Sequence, residues 1–302
     1  MGCRRRADPI KSDLKIPADF YAVLTIYLLF AIGLKGGNKL SGTSLQEVLL
    51  PISAAIGLSV LIPIWSFAIL KHLGRYDKTN AAALAAHYGS VSAVTFAEAL
   101  AFLSIMKVGS EAFMPALLAV MEVPAILIAI FLVKRGEKNV SWSKLFHELL
   151  AGKGIILLVG GMLIGFVSGS KGFEQVSPLF EAPFRGVLTI FLLEIGLVTG
   201  RRFADVRKAG VFLVAFALLM PALHGALGVF IGSEIGLSVG GATLLGTLAA
   251  SASYIAAPAA VRVALPDANP ALYLTASLAL TFPFNVVVGI PLYFSLAQEH
   301  GL

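Results

Sequence analysis

Apolar residues run along this chain in stretches close to the ~20 residues that a helix needs to cross a bilayer. The stretches fall at about 17–34, 46–70, 80–106, 112–133, 154–169, 184–199, 209–232, 238–261 and 270–296. The pattern predicts nine helices, the fifth of them short. Two stretches carry polar residues where an unbroken membrane helix would exclude them. "HYGSVSAVTFAEAL", residues 87 to 100, takes His87, Gly89, Ser90, Ser92, Thr95 and Glu98 through its middle, and "SASYIAAPAAVR", residues 251 to 262, repeats the anomaly downstream.

Composition agrees with a membrane as the solvent. The 302 residues are 58% hydrophobic and 13% charged, more apolar surface than a soluble domain of this length hides. The net charge of +6 resolves into topology. With a cytoplasmic N-terminus, 18 of the 23 Lys and Arg fall on inside segments, and only Lys35, Lys39, Lys107, Lys171 and Arg185 fall outside. The expected location is a bacterial inner membrane, with the C-terminus periplasmic. No basic cluster interleaved with aromatic residues suggests nucleic acid. Cys3 is the sole cysteine, which excludes a disulfide, and Arg6 occupies the Ser/Thr position of a myristoylation signal. "HELLAGKG" lacks the second His of a zincin motif, so His147 and Glu148 read as loop residues, and no catalytic triad or phosphate loop appears. The chain is not expected to be an enzyme.

The chain also repeats itself. "FYAVLTIYLLFAIGLKGG" from Phe20 parallels "FRGVLTIFLLEIGLVTG" from Phe184, and "SVS" at 90–92 parallels "SAS" at 251–253. The first helix of each pair runs in opposite directions, which predicts inverted repeats. Repeat 1 spans 17–134 with four helices, a cytoplasmic loop covers 135–153, and repeat 2 spans 154–302 with five. "GKGIILLVGGMLIGFVSG" leads the second repeat without a counterpart in the first, so residues 1–16 read as a cytoplasmic remnant of a lost helix in a ten-helix design.

Small residues alone serve close helix packing. Matched Ser-x-Ser pairs in related helices point further, to two discontinuous helices that cross. Each break exposes free N–H groups and about half a positive charge at a new helix start. Ser92 and Thr95 suit one start; Ser251 or Ser253 suits the other, with Pro258 early in its helix. Converging starts without a nearby Lys or Arg fit a small anion. Importing a monovalent anion works against the membrane potential by about 2.3 kcal/mol per 100 mV, so an importer needs a coupling cation. Glu122, inside a membrane helix beside Pro124, is the first coupling candidate; Glu98, Asn80 and Glu194 follow. Glu194 reads equally as a structural acid. His87 reads as a packed neutral residue rather than a proton carrier, and Asn80, Asn285 and His224 as interhelical hydrogen bonders.

At "IGLKGG", "HYGSVSAVTF", "MEVPA", "AASASYIAAPAAVR", "LPDANP" and "GIPLYF" the chain resembles the sodium-dependent bicarbonate permeases of cyanobacteria and other bacteria. The resemblance implies an all-α inverted-repeat secondary transporter and a homotrimer, with bicarbonate and sodium bound where the broken helices cross. By that likeness the site includes Gly89, Ser90, Val91, Ser92, Ala93 and Thr95, with Ser251, Ala252, Ser253, Tyr254, Ile255 and Ala256 from the second break. It further implies a small trimeric signalling protein of the nitrogen-regulator type on the cytoplasmic face, and no cofactor beyond Na+ as coupling ion. Tyr254 and Asn80 each stand where the cyanobacterial pattern has Asp, which leaves the sodium ligands open. The expected function is sodium-coupled bicarbonate import. The alternatives are a sodium- or proton-coupled carrier of another small anion, or a non-transporting membrane sensor.

Overall fold

In apolar surroundings a backbone must satisfy its own polar groups, and helices do so within one segment. The computed structural model describes residues 16–135 and 142–300, and among these every regular element is helical. The expected remnant at 1–16, Cys3 with it, falls almost wholly outside the described residues, as does part of the loop 135–153.

The described residues begin with α1 (Ala18–Leu40) and α2 (Leu45–His72). The third predicted stretch is two helices, α3 (Lys78–His87) and α4 (Ala93–Ile105). The fourth is also divided, into α5 (Met114–Met121) and α6 (Pro124–Lys134), because Pro124 has no N–H to continue the ladder. An amphipathic α7 (Trp142–Leu150) comes next; His147 and Glu148 lie in it rather than in a loop, since Leu145 and Leu149 give it a buried face. Then come α8 (Lys153–Phe180), α9 (Phe184–Glu234), α10 (Val239–Ala250) and α11 (Ala256–Ala264). The last, α12 (Pro270–His300), carries π-helical turns at Thr275–Thr281 and Asn285–Gly289. Among the described residues six helical runs are long and apolar enough to cross a membrane, and α4 and α10 are shorter apolar helices.

Two boundaries differ informatively. The predicted end at 169 is a bend: Gly169 sits at φ 57°, and beyond it Leu179 and Phe180 return to α1, where Tyr27 donates to the Leu179 carbonyl (2.6 Å). The stretches 184–199 and 209–232 follow one another within α9, which bends at Gly210, φ 81°. A positive φ costs glycine little.

Helices α1 and α8 pack side by side through glycines. A Cβ on Gly33 or Gly37 would strike the backbone of Leu158 or Met162, and one on Gly161 or Gly165 the backbone of Phe30 or Leu34. Both helices present a small-xxx-small ridge, the pattern that lets membrane helices approach closely. Elsewhere α3 packs between α2 and α6, and α10 packs against α9 and α12.

Candidate functional site

The two interrupted helices run antiparallel and touch at three heights. At one end, the Ser238 N–H that opens α10 donates to Glu111 Oε1 (2.6 Å) in the segment after α4. At the other, the Asn269 N–H, in the turn after α11, donates to Asn80 Oδ1 (2.8 Å) in the first turn of α3. Between them the breaks meet directly, where the Ser253 N–H donates to the His87 carbonyl at the end of α3 (2.8 Å).

Each new helix start is capped by its own serine. Ser92, extended at φ −119°, accepts from the Thr95 N–H (3.2 Å) and from Thr95 Oγ1 (2.9 Å). Ser253 Oγ accepts from the Ala257 N–H (3.2 Å). Accepting in this way leaves both serine O–H groups able to donate. Of the two candidate caps in the second break, Ser251 turns back instead to the Thr247 carbonyl (2.7 Å).

Both starts open onto one small cavity of about 20 Å³, lined from the first break by Val91, Ser92 and Ala93 and from the second by Ser253, Tyr254, Ile255 and Ala256. Space for a single water takes roughly 10–15 Å³ on this scale, so the cavity is closed around one or two water-sized groups. Among the described residues no Lys or Arg lines it; Glu122 does. The helix starts therefore supply positive potential, the serines supply donors, and the one formal charge on the wall is a carboxyl group.

Residues 6–298, nearly the whole chain, match the Na+-dependent bicarbonate transporter superfamily. The chain belongs to that superfamily. It is a multi-pass membrane protein of a transporter family. No curated protein matches it.

Within this member of the bicarbonate transporter superfamily, the remaining sequence candidates divide by position. Gly89, Ser90, Thr95, Ser251 and Ala252 stand behind the cavity wall. A Cβ on Gly89 would meet Pro63 and Ala125, so this glycine lets α2 and α6 close on the break. Ser90 donates to the Glu122 carbonyl (2.9 Å), fixing the backbone of the acid that lines the cavity. Glu98 and Glu194 are off the wall, each with a buried carboxylate oxygen that has no hydrogen-bond partner; Glu98 is within electrostatic reach of the Tyr254 hydroxyl. Asn80 is remote from the cavity. It joins the start of α3 to the turn before α12, and its N–H and side chain both bond to Asp77 (2.9 and 2.6 Å). Burial pushes the Asp77 carboxyl up, but these hydrogen bonds outweigh it and hold the group below its ordinary range.

Other polar residues act as internal ties. His87 Nδ1 bonds the Ala83 carbonyl (2.6 Å) and its ring stacks on Tyr273. Trp65 donates to His224 Nε2 (2.7 Å), and Asn285 to the Ala250 carbonyl (2.9 Å). Sequence reasoning missed two residues of the wall, Leu29 and Gly154. Gly154 had a legible signal, because it opens a helix directly after "GK". A Cβ there would come within 2.7 Å of Glu122 Oε1, so its absence makes room for the carboxyl.

Proposed function

We propose that this protein imports bicarbonate together with sodium, the anion lodging between the starts of α4 and α11. The single observation that carries the reading is the shared cavity: two antiparallel helix starts, two capping serines and one acid on the same wall. Charge balance ties the anion to a cation. An anion beside the Glu122 carboxylate is repelled unless a positive charge enters with it, and the helix starts alone supply only partial charges. Sodium is the cation named by the superfamily, and Glu122 is our first candidate for sensing it.

The antiparallel course of the two broken helices supports the inverted-repeat design, with 17–134 and 154–302 as the repeats. A homotrimer, the bacterial inner membrane with a cytoplasmic N-terminus, and a small signalling protein on the cytoplasmic face belong to the same proposal through the family likeness. Glu122 itself favours a second reading, in which it carries a proton and the protein is a proton-coupled carrier. Uptake of labelled bicarbonate into vesicles holding the purified protein decides between them. An inward sodium gradient is expected to drive accumulation. Accumulation that ignores sodium and follows pH gives the proton reading, and ligand binding without uptake gives a sensor.

A further inference from the structure

Four voids succeed one another through the protein by sharing wall residues. A large outer cavity of about 480 Å³ meets a narrow, mostly apolar void of about 10 Å³ at Ile32. That void meets the serine-lined cavity at Leu29, Ala93 and Ile255. The serine-lined cavity meets a fourth, of about 460 Å³, at Glu122, Gly154, Ile255 and Ala256. The series ends at the charged outer cavity, which the site described so far does not use.

That cavity gathers Lys35 and Lys39 from α1 and Arg185 from α9, against Glu111 and Glu181. Three cations and two acids leave one positive charge, the amount a monovalent anion neutralises. Glu181, Lys39 and Arg185 all act electrostatically on the Lys35 ammonium, which sits 4.5 Å over the Phe184 ring. Arg185 donates to Ser104 at the end of α4. Asn38 also lines the cavity, with a buried Oδ1 that has no partner. Low-dielectric walls around a net positive charge concentrate anions locally. The volume exceeds that of the inner cavity many times over, so it takes an anion with its hydration shell.

We infer that this outer cavity is an anion-capture site, where Lys35 and Arg185 hold a hydrated monovalent anion before it sheds water to pass the apolar constriction at Leu29 and Ile32. The inference rests on the transport reading above and adds a second subsite to it. In vesicles, Lys35→Gln and Arg185→Gln are each expected to raise the KM for bicarbonate about tenfold with kcat little changed, and to flatten its dependence on ionic strength. Glu181→Gln is expected to lower KM, a gain that a merely damaged fold does not produce, and Lys35→Arg to restore the wild-type value. An unchanged KM in both cation variants overturns the capture site, as does a Glu181→Gln variant that is no better than wild type. Equilibrium dialysis of labelled bicarbonate onto purified Ser92→Leu protein separates the two claims. Filling the inner cavity is expected to leave residual binding that Lys35→Gln removes. Absent residual binding sinks the outer site, whereas residual binding in a protein whose wild type takes up nothing sinks the transport reading alone.

Discussion

Small residues do two different jobs in this molecule, and the α1–α8 seam and the two helix breaks display them side by side. In the seam, Gly33, Gly37, Gly161 and Gly165 bring backbone against backbone. The helices stay continuous there, and no polar side chain is needed. In the breaks, where α3 and α10 have already ended, Ser92 and Ser253 cap the next helix and line a cavity with donors. The contrast teaches that small-residue content by itself says only that something approaches closely. The hydroxyl at a helix start is what turns a close approach into a polar site.

The contrast makes opposite predictions for bulky substitutions. Gly37→Leu, facing the Met162 backbone, is expected to cost about 3 kcal/mol, the upper part of the usual range for overpacking, and thermal unfolding in detergent measures it. A protein as stable as wild type would mean that the seam contributes nothing. Ser92→Leu is expected to do the reverse. It fills the cavity and lowers bicarbonate uptake at least about 100-fold, near 2.7 kcal/mol, while the lost helix cap costs only about 1 kcal/mol of stability. Unchanged uptake would remove the helix starts from the account.

A finer test lies within the breaks, between residues that look equivalent. Ser90 reaches across to the Glu122 carbonyl, but Ser251 folds back on its own helix. Ser90→Ala is therefore expected to cost about 1 kcal/mol and to slow uptake by loosening Glu122. Ser251→Ala is expected to change stability by less than about 0.5 kcal/mol, because such back-bonding adds little to a helix. Equal effects of the two on uptake would erase the distinction.

Much of this arrangement was legible in the sequence, because Ser at a helix start and a Pro that interrupts a ladder act locally. The breaks at 88–92 and 251–255, the Ser92 cap and the place of Glu122 beside an interrupted ladder are all marked by such signals. The ends of α1 and α8 were less legible. Lys35 and Lys171 close the apolar runs, yet the helices continue past them to Leu40 and Phe180 where charged groups reach the surface. Which side of a break faces the cavity was not legible either. Ser90 and Ser92 are indistinguishable by type, and only the hydrogen bond to the Glu122 carbonyl, between α5 and α6, turns one away. Leu29 was missed because an apolar residue in an apolar helix carries no mark of the cavity it borders.

The central claim is that an anion lodges between the starts of α4 and α11, and substrate protection at that point tests it most directly. Ala256 lines the cavity and makes no side-chain hydrogen bond, so Ala256→Cys in a Cys3→Ser background places a single thiol there. Bicarbonate with sodium is predicted to slow modification of this thiol severalfold, and Ser92→Leu to abolish the protection. A modification rate indifferent to bicarbonate, in protein that still transports it, would contradict the account.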